Sequence, residues 1–239
     1  MQLSIVLPTY NERKNIEVLI PKLEEFVSTL YEDFEIIVVD DSSPDGTAKI
    51  VKKLQKKYSN LRLIIREKKE GIGAALKEGY NAALGDVIFS MDADLAFDFN
   101  DIKKLLLKFN EGFDLVFGTK YLKTSTYEKK GFYAKMKAFI SFSANILIQK
   151  MLCLSFTDFF LNFRVFKKNL WNSISIKANE NNFLFEMIIE ANIKGFKLAE
   201  VPIKFKDERI YGKSKFSLLK QGIRVFFSLI KYFFVKLRS

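Results

Sequence analysis

Two apolar runs in this chain stop at acidic residues, and that pattern constrains the fold more than any other feature. The first is Ile36-Ile37-Val38-Val39-Asp40-Asp41, followed by Ser42-Ser43-Pro44-Asp45-Gly46-Thr47. The second is Val87-Ile88-Phe89-Ser90-Met91-Asp92-Ala93-Asp94. A short continuous apolar run is the pattern of a strand buried on both faces, as in a parallel sheet covered by helices. In open α/β sheets, ligands bind outside the carboxyl ends of the strands. Two acidic strand ends side by side predict an anionic floor suited to a nucleotide held with a divalent cation, which points to nucleotide-sugar chemistry.

The first half alternates strand and helix patterns. Strands are expected at 3–7, 35–40, 61–66, 87–91 and 114–118, and helices at roughly 13–30, 46–58, 73–84 and 101–110. That alternation indicates parallel βα units with helices on both sheet faces, an α/β fold. Asn11 or Glu12 can cap the first helix and Asp45 or Gly46 the second. The 239 residues suffice for one large domain. No internal repeat or linker interrupts it.

Composition narrows the chemistry. There is no histidine and one cysteine, Cys153. An internal disulfide is therefore impossible, a reducing compartment is expected, and any metal must be oxygen-bound, which favours Mg2+ or Mn2+. The N-terminus enters a strand at once, so no signal peptide is expected. Residues 1–119 hold 16 Lys+Arg against 20 Asp+Glu, net −4, whereas residues 120–239 hold 23 against 8, net +15. A basic half suits a polyanionic partner: nucleic acid, an anionic membrane or a phosphorylated substrate. Plain lysine-rich solvation is the alternative. Nucleic acid is disfavoured, because the basic residues interleave with long apolar faces and no RNA or helix-turn-helix motif is present.

Two stretches of the second half are aromatic and apolar. In Phe132–Leu154, Lys137, Ser141, Asn145 and Gln149 fall four apart and form one polar stripe. In Phe216–Arg238 a similar stripe runs through Ser217, Lys220 or Gln221, Arg224, Ser228 and Lys231. Charges break both, so neither reads as a membrane span of about 20 apolar residues. A wide apolar arc with a basic stripe fits a helix lying in a membrane interface, and packing on each other or on the sheet is the alternative. The expected organisation is a catalytic domain over 1–215 and a C-terminal interface helix over 216–239. The expected location is the cytoplasmic face of a membrane, held peripherally.

Individual motifs differ in weight. Pro8 suits a strand end, and Tyr10 beyond it can stack on a base or ribose. Asp40 can accept from a base N–H or ribose hydroxyls. Asp92-Ala93-Asp94 is sharper. A departing diphosphate needs its charge neutralised, and a hard cation held by carboxylates does this. Alternate residues at a strand end point apart, so one carboxylate can meet metal and the other sugar. Gly71-Ile72-Gly73 lacks the third glycine of a dinucleotide loop and reads as a tight turn beside the nucleotide.

Taken together, Val6-Leu7-Pro8-Thr9-Tyr10-Asn11-Glu12, Val38-Val39-Asp40-Asp41-Ser42-Ser43-Pro44-Asp45-Gly46-Thr47, the Gly71/Gly73/Gly79/Gly85-Asp86 pattern and Met91-Asp92-Ala93-Asp94 resemble family 2 glycosyltransferases of the GT-A type. The Asp-Asp-Ser-Ser-Pro-Asp-Gly-Thr phrase, Gly118-Thr119-Lys120-Tyr121 and Arg209-Ile210-Tyr211-Gly212-Lys213-Ser214-Lys215 resemble the dolichol-phosphate (polyprenyl-phosphate) mannose synthase group. The resemblance runs over essentially the whole chain. It implies a GT-A Rossmann-like, mostly parallel sheet and transfer of a hexose, GDP-mannose first among donors, to a polyprenyl or dolichyl phosphate. UDP-glucose as donor, or a non-catalytic nucleotide-sugar-binding subunit, are the alternatives. A membrane-spanning partner subunit is a further expectation. By the same resemblance Pro8, Tyr10, Glu12, Val39, Asp40 and Ala93 meet the nucleotide. Asp92 and Asp94 handle the metal-bound diphosphate, with Asp94 first as direct ligand. Arg209 and Lys215 meet phosphates, Lys120 lies with them, and Asp158 and Arg164 lie near the transferred sugar.

Three departures stand out. A metal-assisting glutamine of the family is Ala96 here; either Asp98 compensates or the metal is held more loosely. Asp158-Phe159-Phe160-Leu161-Asn162-Phe163-Arg164 loses a Ser/Thr-Gly core, which predicts a bulkier, apolar sugar pocket, with Asn162 taking the positive φ of the lost glycine. Lys120 stands where arginine is usual, giving a point charge rather than a fork.

Overall fold

The computed structural model describes residues 2–128, 132–206 and 218–236. Its centre is a seven-stranded sheet. The five strands expected from the apolar runs are present as β1 (Leu3–Thr9), β2 (Phe34–Asp40), β3 (Leu61–Ile65), β4 (Val87–Met91) and β5 (Leu115–Thr119). The helices between them are α1 (Arg13–Ser28), α2 (Thr47–Leu54), α3 (Ile72–Ala82) and α4 (Phe99–Phe109). Asp45 Oδ1 accepts from the Thr47 N–H and starts α2, as expected.

Residues beyond 120 form β6 (Thr126–Glu128), α5 (Phe132–Leu152), β7 (Phe163–Lys167), α6 (Lys168–Ser173), α7 (Asn182–Ile193), β8 (Leu198–Pro202), β9 (Lys204–Lys206) and α8 (Leu218–Lys236). Of these, α5 and α8 match the two amphipathic stretches, and the remaining elements carry no clear pattern of their own. The sheet order is β3-β2-β1-β4-β7-β5-β8, and β6 with β9 makes a separate two-stranded ribbon. β7 is antiparallel to both β4 and β5, and the other pairings of the large sheet are parallel. The sheet is thus mostly parallel with one reversed strand inserted near its middle.

Helices cover both faces, which is why the strands read as unbroken apolar runs. Ile5, Leu7, Ile36 and Val38 pack with α1, α2 and α4 on one side. Val6, Ile37, Val39 and Ile88 pack with α3, α6, α7 and α8 on the other. Gly79 of α3 lets that helix approach the sheet closely: a Cβ there would lie 2.4 Å from Val6 Cγ1.

The order β2-β1-β4 places the reversal of strand progression between β1 and β4. A crevice forms at such a point, outside the carboxyl ends of the strands. The β1–β2 register sets Thr9 against Asp40, and the β1–β4 register sets Val6 against Ser90. Continued by two residues, the latter brings Asp92 level with Pro8.

Candidate active site at the switch point

Four non-glycine residues among those described adopt a left-handed backbone: Asn11, Ser42, Leu95 and Cys153. Three of them stand just past the tips of β1, β2 and β4, which are adjacent strands. A left-handed conformation disfavours L-residues by about 1–2 kcal/mol. Such strain persists where the surroundings over-determine it, and it gathers at functional sites. The expected acidic floor and the backbone strain therefore coincide.

The β2 tip is tightly organised. Asp40 is fully buried: its Oδ1 accepts from Thr9 Oγ1 at 3.0 Å and Ser43 Oγ at 2.5 Å, and its Oδ2 accepts from the Ser43 N–H at 2.9 Å. Oδ1 ties the end of β1 to the β2 loop, and Oδ2 holds the start of that loop. Asp41 pairs with Arg66 at 2.6 Å. Arg66 also meets Glu70 at 2.7 Å and Glu78 at 3.0 Å. Burial pushes the Asp41 carboxyl up from its ordinary value, with Arg66 opposing. Tyr10 lies under the Lys69 ammonium, 4.0 Å from the ring centroid. Glu12 is buried, its Oε2 accepting from Asn15 Nδ2. Pro8 and Val39 are cross-strand partners in the last turn of the sheet before the crevice.

At the β4 tip, Asp94 Oδ1 accepts from the Ala96 N–H at 3.3 Å across the left-handed Leu95. Asp92 Oδ1 accepts from Asn162 Nδ2 at 2.9 Å, and Asn162 Oδ1 accepts from Ser90 Oγ at 2.6 Å. Ala93 between the two carboxylates is buried in the core. No group of three or more acidic, cysteine or histidine side chains suited to a metal occurs among the described residues. The protein thus offers two carboxylates, all oxygen. That set fits Mg2+ or Mn2+, which bind through one or two carboxylates and take substrate phosphates for other positions.

Several expectations change here. Asp98 does not replace the missing glutamine: its Oδ1 caps α4 by accepting from the Asn100 N–H, and its Oδ2 faces Lys204 at 3.8 Å. Asn162 takes no positive φ and works through its side chain. Phe159 and Leu161 are buried in the two cores on opposite sides of the sheet instead of filling a sugar pocket. At Gly71 the tight turn expected is present, with φ +105°: the Ala74 N–H donates to the Asn179 carbonyl, and a Cβ on Gly71 would fall 2.4 Å from that oxygen.

Lys120 and Asp158 extend the same edge of the sheet. Lys120 follows β5, and Asp158 lies in the segment entering β7. Their Nζ and Oδ2 atoms are 2.6 Å apart. The rings of Tyr121, Phe205 and Tyr127 surround the Lys120 ammonium at 4.8, 5.6 and 5.8 Å. Arg164 lies beneath the edge, fully buried, donating to the Leu184 carbonyl at 3.0 Å and the Leu161 carbonyl at 2.8 Å. Burial pushes its guanidinium down from the ordinary value, while Tyr80, Asp158 and Asp92 act the other way. Arg164 therefore presents a field rather than a contact surface. Arg209 and Lys215 lie outside the described residues.

The two aromatic helices each bury a polar stripe against the protein and expose apolar residues, the arrangement an interface helix requires. On α5 the polar stripe faces the protein: Ser141 Oγ bonds Tyr121 OH at 3.1 Å, Asn145 Oδ1 accepts from the Phe159 N–H at 3.1 Å, and Gln149 Nε2 donates to the Phe156 carbonyl at 2.5 Å. On α8, Ser228 Oγ donates to Glu186 Oε1 at 2.6 Å, Tyr232 OH to Glu190 Oε1 at 2.8 Å, and Arg224 pairs with Glu180 at 2.9 Å. Many apolar residues point outward, with Phe139 70% and Phe227 65% exposed and Ile140, Phe142, Leu147, Ile223, Phe226 and Phe234 also exposed, while Ile148, Leu152, Leu229 and Tyr232 join the core. No helix among the described residues is long and apolar enough to cross a membrane.

Comparison with known proteins settles the family. Residues 4–174 match the model of glycosyl transferase family 2. The chain belongs to glycosyl transferase family 2. Over 94% of its length it is 32% identical to a dolichol-phosphate mannosyltransferase of Pyrococcus furiosus. Over 92% it is 27% identical to an undecaprenyl-phosphate 4-deoxy-4-formamido-L-arabinose transferase of Salmonella choleraesuis. The chain spans 64% of the length of each of these relatives. Its fold matches glucosyl-3-phosphoglycerate synthase of Mycobacterium tuberculosis, crystallised with Mn2+, UDP and phosphoglyceric acid. That match has a TM-score of 0.72 at 19% identity and covers 97% of this chain and 78% of the other. For a family 2 chain, the GT-A-like α/β sheet described above is the expected architecture.

The sequence did not reveal Asn162, Ser90, Thr9, Ser43 or Arg66 as parts of the site. Asn162 was visible only as a departure from the family element. Its partner became apparent with the antiparallel β4–β7 register.

Proposed function

We propose that this chain is an inverting glycosyltransferase that moves a hexosyl group from a nucleotide sugar to the phosphate of a polyprenyl or dolichyl lipid at a membrane surface. GDP-mannose is the first donor to test, and UDP-glucose the second. The observation that carries the lipid acceptor is the reversed polarity of α5 and α8, whose polar stripes are spent on the protein while aromatic side chains face outward. Exposed apolar patches of this kind mark interaction surfaces, and basic, aromatic helices suit the lipid interface. The names of both relatives specify a polyprenyl-phosphate type of acceptor and differ in the sugar.

In this reading Tyr10, Glu12, Val39, Pro8 and Ala93 shape the nucleotide subsite, with Asp40 holding the loops that form it. Asp92 and Asp94 would hold Mg2+ or Mn2+, which when bound offsets the negative charge growing on the leaving diphosphate. An oxygen of the lipid phosphate attacks the anomeric carbon from the opposite side. The bond from that carbon to the diphosphate breaks, its electron pair leaves with the nucleoside diphosphate, and the configuration inverts. The acceptor is already an anion near neutral pH, so orientation and charge screening replace a general base. Lys120, held by Asp158, and the residues Arg209 and Lys215 supply that screening, and buried Arg164 adds a positive field below Asp92 and Asp158. A membrane-spanning partner is a further proposal, since no described helix spans a bilayer.

The test is to incubate the full chain with labelled GDP-mannose or UDP-glucose, a short polyprenyl phosphate and Mg2+ or Mn2+. A sugar-phosphate lipid is the expected product. Absence of any glycolipid with these and the other common sugar nucleotides would overturn the reading. Thermal shifts with GDP and UDP rank the nucleotide, because a ligand of the native state raises Tm.

A further inference from the structure

Asn162 occupies a singular position. The β4–β7 register pairs Ser90 with Arg164 and Met91 with Phe163, and one further step places Asn162 directly across from Asp92. Cross-strand neighbours of this kind have Cβ atoms about 4.5–5.5 Å apart. A two-carbon amide bridges that gap, as the 2.9 Å contact from Nδ2 to Asp92 Oδ1 shows. A glycine at 162 would offer nothing to bridge it.

The amide orientation follows from its partners. An ionised carboxylate only accepts, so the NH2 group must face Asp92 and the oxygen must face Ser90. The Ser90 hydroxyl then donates to Asn162 Oδ1 at 2.6 Å, fixing the amide from behind. Ser90 is fully buried and Asn162 nearly so, which denies water the chance to compete for these bonds. Asp92 itself stands at the crevice with intermediate burial. The chain Ser90–Asn162–Asp92 thus runs from the core to the cleft and presents one carboxylate in a defined attitude.

We infer that Asn162 is a positioning residue that orients Asp92 towards the divalent cation. It acts on cation affinity rather than on the sugar. This inference rests on the reading of Asp92 and Asp94 as the cation-holding pair. Partners behind a metal ligand set its orientation, and their loss typically lowers metal affinity by about 10–100-fold.

The test is Mn2+ affinity of the full chain with saturating GDP or UDP, read from the electron paramagnetic resonance signal of unbound Mn2+. In Asn162→Ala the affinity is expected to fall by about tenfold to a hundredfold, with KM for the polyprenyl phosphate unmoved and the far-UV circular dichroism retained. Ser90→Ala, which keeps both Asn162 and Asp92, is expected to lose several-fold in affinity, and it decides the matter if Asn162→Ala does not fold. Folded Asn162→Ala, or failing that Ser90→Ala, with the parent's Mn2+ affinity would overturn the inference and leave glycosyl transfer standing. A lowered Tm at unchanged affinity would mean a merely structural amide and would overturn it equally. A parent that binds no Mn2+ with either nucleotide would instead sink the cation-holding role of Asp92 and Asp94, and this inference with it.

Discussion

Lys120 Nζ and Asp158 Oδ2 lie 2.6 Å apart with only 8% and 0% of their side chains exposed. A pair this dry is held by its geometry, and either member left alone is an uncompensated buried charge. Asp158→Ala is expected to destabilise the protein by about 3–5 kcal/mol in urea unfolding. Replacing both, Lys120→Met with Asp158→Leu, should recover most of that loss, because apolar residues of similar volume incur no desolvation penalty. A single-mutant loss below about 1 kcal/mol would contradict a buried pair.

Glu35 links stability to pH. Burial alone would push its carboxyl up, yet the Ser4 hydroxyl, the Leu84 N–H and Arg62 outweigh it and hold the group below its ordinary 4.5. A depressed carboxyl favours the ionised form in the fold. Its contribution is therefore present above pH 4.5 and lost as pH falls through the lower folded value. Glu35→Gln should flatten the fall in stability between about pH 5 and pH 3, followed by urea midpoints. An unchanged acid profile would refute the assignment.

Glycine-to-alanine changes should differ in sign with position. At Gly79 the new Cβ would meet Val6 Cγ1 at 2.4 Å and Val39 Cγ2 at 3.0 Å. Overpacking of about 1–3 kcal/mol then outweighs the helix preference for alanine. At Gly222 of α8 nothing lies within 4 Å, so the same change should stabilise by up to about 1 kcal/mol. Thermal melts of the two variants should shift in opposite directions.

The outward aromatics of α8 predict a separable surface function. Phe226→Ser with Phe227→Ser removes two exposed rings, each worth about 1.5–3 kcal/mol when fully buried in an apolar phase. Sedimentation with anionic vesicles should weaken tenfold or more while Tm stays close to the parent's. Retained vesicle binding would remove α8 from the membrane face.

The sequence by itself determined the parallel half of the sheet, the helices over it and the two acidic tips. Those features are local: an apolar run with a carboxylate at its end carries its own burial and its own position, and the five strands and four helices fell within a few residues of expectation. Long-range pairing decided the rest. β7 enters antiparallel between β4 and β5, and only that register sets Asn162 against Asp92 and sends Arg164 beneath the site instead of into it. α7 is buried nearly all round, so it has no polar face to betray a helix period. The stripes on α5 and α8 showed that each helix has two faces, but periodicity has no sign. Which face turned inward was settled by the backbone groups of the loop at 156–159, which take side-chain partners from α5, and by the carboxylates of α7, which draw polar side chains of α8 towards them and leave the outer aromatics exposed.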